Sequence, residues 1–137
     1  PKNTNEVFFL KLQLTDKEKV VDENLYWLSN MHHSYEKLNE LEKVSVTTEI
    51  SKSGNGISVV RISNPKDETA FFIRLKVINS KNELVLPAYF TENYLTLLPG
   101  ESREITLDLS AGKAGGGLND LRLALEGWNV LPAEIKF

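Results

Sequence analysis

Ala70-Phe71-Phe72-Ile73-Arg74-Leu75-Lys76-Val77 is the stretch that decides the fold. Phe71, Ile73, Leu75 and Val77 fall on one side of an extended chain and Phe72, Arg74 and Lys76 on the other, because successive strand side chains point to opposite faces. A helix would scatter the same apolar residues around its axis. The two-residue period recurs in both directions from here. Leu10, Leu12 and Leu14 alternate with Lys11 and Gln13, and Val44, Val46, Thr48 and Ile50 with Ser45, Thr47 and Glu49. Ile105, Leu107 and Leu109 alternate with Thr106 and Asp108, and Leu121, Leu123 and Leu125 repeat the pattern. Turn-forming clusters separate these runs: Thr15-Asp16-Lys17, Ser53-Gly54-Asn55-Gly56, Ser63-Asn64-Pro65-Lys66-Asp67, Asn79-Ser80-Lys81-Asn82 and Leu98-Pro99-Gly100-Glu101.

Strands are therefore expected near residues 6–14, 20–28, 44–51, 56–63, 70–78, 84–88, 93–97, 102–109 and 121–127, with a last one at 133–137. Many short strands at near-regular spacing give an all-β fold, a two-layer antiparallel β-sandwich of immunoglobulin type without the cysteine pair of antibody domains. One segment departs from the period. Tyr35, Leu38 and Leu41 are three apart, which predicts a short helical turn near residues 34–41, started by Ser34 as N-cap. Gly112-Lys113-Ala114-Gly115-Gly116-Gly117 reads as a mobile loop before a late strand. With no repeat and no second composition regime, residues 1–137 read as a single domain, and because Pro1 is not a natural initiator and Phe8 already sits in a strand pattern, the chain looks like a piece of something longer.

The 137 residues carry 16 Lys plus Arg against 19 Asp plus Glu, a formal charge of −3, and 41% are hydrophobic. A chain of this size buries enough surface to hold a core without staples. The acidic balance lacks the phosphate-neutralising surface of a nucleic-acid binder, and no apolar window is long enough to span a membrane, so neither partner is expected. Absence of cysteine excludes disulfides, thiolate metal sites and a cysteine nucleophile. His32-His33 lack a Glu or Asp at metal-binding helical spacing, and no metal site is expected. With Ser29 and Ser34 they sketch a serine triad that has no Gly-x-Ser-x-Gly elbow. Gly112-Lys113 fails as a phosphate loop because Ala114 follows and Leu107 holds the earlier glycine position. No cofactor is implied.

Glu92, Glu101 and Glu104, close to Tyr89, Phe90 and Tyr94, are the nearest approach to a carboxylate cluster; the ordinary reading is a set of solvated strand and turn carboxylates. Tyr26, Trp27, Tyr35, Tyr89, Phe90, Tyr94 and Trp128 are candidates for a sugar-stacking platform, for interdomain contact, or for core. Tyr26 and Trp27 are adjacent in a strand and project to opposite faces.

Several runs resemble a known family. Phe8-Phe9-Leu10-Lys11-Leu12, Tyr26-Trp27-Leu28-Ser29, Tyr35-Glu36-Lys37-Leu38, Asn64-Pro65, Ala70 to Leu75, the long run Leu86 to Ser102, and Gly127-Trp128-Asn129 as a closing strand are similar to the immunoglobulin-like domain that follows the catalytic barrel in glycoside hydrolase family 2. The exo-β-D-glucosaminidases and β-mannosidases are the nearest kinds. Glu92 stands where that family commonly has aspartate before Asn93-Tyr94. The resemblance implies a parent that hydrolyses β-linked hexosides by a retaining two-glutamate mechanism. It also implies that both catalytic glutamates lie on the barrel, so no catalytic residue carries over to this chain. What it implies here is a non-catalytic accessory module packed against the other domains of its enzyme, and a periplasmic or extracellular parent fits. The alternative is a carbohydrate-binding module that takes a β-linked oligosaccharide through exposed aromatics. The candidate interdomain or carbohydrate contacts are Tyr26, Trp27, Tyr89, Phe90, Glu92, Asn93, Tyr94 and Trp128.

Overall fold

A computed structural model of the chain describes residues 7–30, 34–112 and 120–137, apart from the side chain of Lys52. His32, His33 and the stretch from Lys113 to Gly117 lie outside the described residues. The chain divides into two compact units, one up to Leu41 and one from Glu42 to Phe137.

In the first unit, β1 (Val7–Asp16) and β2 (Lys19–Ser29) pair antiparallel as a sheet of their own. Lys17 and Glu18 both have positive φ, 45° and 71°, as a two-residue reversal between twisted strands requires. One face of the ladder sets Phe8 opposite Leu28 and Leu10 opposite Tyr26, with Leu12 and Leu14 following opposite Asn24 and Asp22. Alternation predicts a half-buried face for Leu10, Leu12 and Leu14. All three are instead exposed, because a two-stranded sheet supplies no second layer to cover them. The expected helical turn is a 3-10 turn, Glu36–Glu40, whose three-residue period is the spacing of Tyr35, Leu38 and Leu41. Tyr35, not Ser34, occupies its N-cap, and no side chain caps it.

The second unit is a sandwich of two four-stranded sheets. One has the order β3 (Thr47–Gly54), β4 (Ile57–Ser63), β8 (Ser102–Asp108), β6 (Tyr89–Phe90). The other has the order β10 (Ala133–Lys136), β9 (Arg122–Glu126), β5 (Ala70–Ile78), β7 (Leu95–Leu97). Val60, Ile62, Ile105 and Leu107 from the first sheet meet Ile73, Leu75, Val77, Leu97, Leu123 and Leu125 from the second in one buried cluster. Hydrophobic transfer of these side chains drives the unit together. Before β3, Val44 pairs parallel with Val130, through Val44 N–H to Asn129 O at 2.9 Å and Leu131 N–H to Val44 O at 2.9 Å.

The expected strand at 84–88 does not form. Leu84 makes a single bridge to Ile78, and pairing resumes only at Tyr89 and Phe90, against Asp108 and Leu107. Pro87 has no N–H to give a ladder. Gly127-Trp128-Asn129, expected to extend a closing strand, forms a turn beyond the end of β9.

Thr48 sits on the core-facing side of β3, in the series Val46, Thr48, Ile50, and its buried hydroxyl has no hydrogen-bond partner. Removing that hydroxyl without changing the shape relieves a desolvated polar group. Thr48→Val is expected to raise the stability of the 137-residue chain by about 1 kcal/mol, read as a higher urea midpoint at unchanged m-value.

Candidate functional site

The middle motif is built around a break in β5. Ala70 pairs with Leu97 and Ile73 with Leu95, so Phe71 and Phe72 together face the one residue Thr96. That is a β-bulge, and it turns Phe72 into the left-handed region at φ 57°. Tyr94, at the entry to β7, is also left-handed, at φ 55°. For bulky residues each such conformation costs roughly 1–3 kcal/mol and persists only when neighbouring bonds hold it.

Side chains supply those bonds. Thr96 Oγ1 accepts the Phe72 N–H at 3.3 Å. Asn93 stands in for a strand partner: its Oδ1 accepts the Leu75 N–H at 2.8 Å and its Nδ2 donates to the Leu75 carbonyl at 2.9 Å. The same Oδ1 takes the Tyr94 N–H at 3.0 Å. Asn129, fully buried, accepts the Phe71 N–H at 2.8 Å and donates to the carbonyls of Glu42 and Thr69, each at 2.8 Å.

The tight reversal expected at Pro99-Gly100 is present. Glu101 N–H donates to Leu98 O at 3.1 Å, with Gly100 at φ 76°, where an L side chain is strained. Asn64 anchors it, exchanging backbone bonds with Glu101 and Gly100 and donating Nδ2 to Leu97 O at 3.1 Å.

The three glutamates take three different partners. Glu101 Oε2 accepts the Leu98 N–H at 2.9 Å inside the turn. Glu92 lies 3.8 Å from Arg103 Nε, and Glu104 lies 3.9 Å from Arg61. Asp108, opposite Tyr89, is held below the usual carboxylate range by the Ser110 side chain and then by the Ser110 N–H. What that contributes to stability is lost as the pH falls through the lowered value.

The aromatics predicted as interdomain or carbohydrate contacts lie on three segments of the chain. Tyr26 and Trp27 lie on β2, opposite Leu10 and Phe9. Tyr89, 61% exposed, and Phe90, packed against the core, lie on β6. Tyr94 and Trp128 are joined to the bulge: Phe72 and Tyr94 ring centroids are 5.3 Å apart, and Phe71 and Trp128 are 6.5 Å apart. Phe71 is buried, while Phe72, Tyr94 and Trp128 are 38%, 52% and 48% exposed. Phe72 is the member that sequence reasoning missed. The alternation put it on the outer face, but only the bulge gives it ring contacts with Phe71 and Tyr94. Interplanar angles of 45° and 64° leave the rings tilted, not coplanar. Phe90, Asn93 and Tyr94 also line a shallow cleft of about 170 Å³ with Arg74, Lys76 and Leu86. Its cations are engaged, since Lys76 and Arg74 lie 2.9 Å and 3.4 Å from Glu126. Among the described residues no group of His, Asp and Glu is placed to hold a metal ion.

Residues 24–130 match the family model described as the exo-β-D-glucosaminidase Ig-fold domain. The chain belongs to that family. It is 31% identical to the exo-β-D-glucosaminidase of Hypocrea jecorina over 96% of this chain and 17% of that protein. It is 29% identical to the exo-β-D-glucosaminidase of Arthroderma benhamiae over 91% of this chain and 16% of that protein. The crystal structure of Amycolatopsis orientalis exo-chitosanase shares the fold, with a TM-score of 0.67 at 22% identity over 96% of this chain and 18% of that one. This Ig-fold domain therefore spans only a small part of the length of the relatives it matches.

Asn93→Ala is expected to cost roughly 1–3 kcal/mol, because it strands both backbone groups of Leu75 and the Tyr94 N–H. Chemical denaturation measures the loss. Gly127→Ala is expected to destabilise by a similar 1–3 kcal/mol, since a Cβ there would lie 2.9 Å from the Val130 side chain and 3.1 Å from Phe71 O.

Proposed function

We propose that this chain is a non-catalytic accessory domain of an exo-β-D-glucosaminidase, packed against the other domains of its enzyme, with hydrolysis of β-linked glucosaminides carried out elsewhere in the polypeptide. One observation carries this reading. The polar residues of the family-like motif direct their hydrogen bonds to the domain's own backbone: Asn64, Asn93 and Asn129 satisfy peptide groups, and Glu101 braces a turn. They act as scaffold. Of the two parent kinds that the sequence resemblance implies, the relatives named above favour the glucosaminidase over the β-mannosidase.

The non-catalytic part is tested directly. The isolated chain is expected to release no aryl alcohol from an aryl β-D-glucosaminide, and turnover abolished by Glu92→Gln or Glu101→Gln would overturn the reading. For the parent, the expected result is cleavage of aryl β-D-glucosaminides in preference to β-mannosides.

The 45° tilt between the exposed rings of Phe72 and Tyr94 argues against a flat sugar-stacking platform at this pair. Titration with glucosamine oligosaccharides is expected to leave the NMR signals of Phe72, Tyr94 and Trp128 in place. A saturable shift of those signals would establish the binding module instead.

A further inference from the structure

The hairpin of β1 and β2 is the part of the molecule least accounted for by its own packing. Phe8, Leu10, Leu12, Leu14, Tyr26 and Leu28 project from one face, and every one is exposed. Both strands are long, 10 and 11 residues, and both are edges. An isolated two-stranded hairpin is marginal in water, and long apolar edges invite pairing with another chain.

Three observations point to what covers this face. The contact boundary of the chain falls at Leu41 and Glu42, placing the hairpin outside the sandwich unit. The matched domain model starts at residue 24, within β2, and leaves β1 out. Yet the relative from Hypocrea jecorina aligns over 96% of this chain, a span that reaches into β1. The aligned span in these enzymes thus takes in β1, which the domain model leaves out, and the chain makes up only 16–17% of those proteins.

We propose that the face formed by Phe8, Leu10, Leu12, Leu14, Tyr26 and Leu28 docks on a β-sheet of an adjoining domain of the same polypeptide, so that the hairpin packs as part of that neighbour while the compact sandwich unit begins at Glu42. This replaces the single domain over residues 1–137, and it rests on the proposed place of the chain in a larger glucosaminidase. Apolar side chains from Phe8 to Leu14 along one face of β1 match the inner layer of a sandwich, where one sheet's face is closed by another.

Amide hydrogen exchange, compared between the complete enzyme and the 137-residue chain held at monomeric dilution, tests the proposal. In the complete enzyme the β1 and β2 amides are expected to exchange at least about tenfold more slowly, while β5 and β9 amides exchange alike in both. Leu12→Asp in the complete enzyme is expected to abolish most of that added protection without changing β5 and β9. Equal hairpin exchange in the two proteins overturns the proposal. So does protection that survives Leu12→Asp, or protection that appears only when the isolated chain self-associates. A complete enzyme that fails to cleave β-D-glucosaminides but protects the hairpin defeats the proposed function alone; one that cleaves them with an unprotected hairpin defeats the docking alone.

Discussion

The carboxamide of Asn129 is the interaction on which the sandwich unit depends. Its three bonds reach the peptide groups of Glu42, Thr69 and Phe71, joining the segment that enters β3, the segment that enters β5 and the turn that follows β9. Each of those peptide groups is withdrawn from a regular ladder by the bulge or by a turn, and a buried peptide group without a partner destabilises the fold by an amount comparable to a lost hydrogen bond. One planar amide, with two donors and an oxygen acceptor, suits this task where a carboxylate, lacking donors, does not. Asn93 does the same for Leu75 and Asn64 for the Leu97 to Glu101 turn. The interior is therefore apolar between the sheets and amide-stitched where strands break.

The stitching explains how two bulky residues occupy left-handed conformations. Phe72 is held from Thr96 and, through its neighbour Phe71, from Asn129; Tyr94 is held from Asn93. The outcome is a set of partly exposed rings whose orientation is set by backbone geometry and not by rotamer choice alone. Trp128 joins them through Phe71, and its own N–H donates to the Phe71 carbonyl at 3.0 Å.

Much of this was legible in the residues. The period of two located β5 over 70–78 and the buried Leu121, Leu123 and Leu125 series, because burial on one face of a strand leaves that signature. Pro99-Gly100 announced its turn by the φ that each residue prefers, and Asn93 announced a backbone-satisfying role at a pairing break. The bulge at Phe71-Phe72 was not legible, since an extra residue leaves no mark in a run whose neighbours still alternate. The exposure of Leu10, Leu12 and Leu14 was equally hidden. Periodicity says which side chains share a face and is silent on whether a second layer lies over it. Glu92, Glu101 and Glu104 were close in sequence, but whether they converged depended on the partners Arg103, Leu98 and Arg61.

Lys17 and Glu18 give the hairpin a reversal built from two charged residues in a conformation that glycine and asparagine adopt more readily. Its local turn chemistry is weak, and its register is set chiefly by the apolar pairs along the ladder. If the proposed docking holds, a nicked or prematurely terminated polypeptide that kept this hairpin but lost its neighbour would display two unsatisfied strand edges beside a row of leucines. Such a product is a substrate for chaperone capture and for amyloid-like stacking. Damage elsewhere in the polypeptide would then be detected here, through the stickiness of an uncovered strand pair.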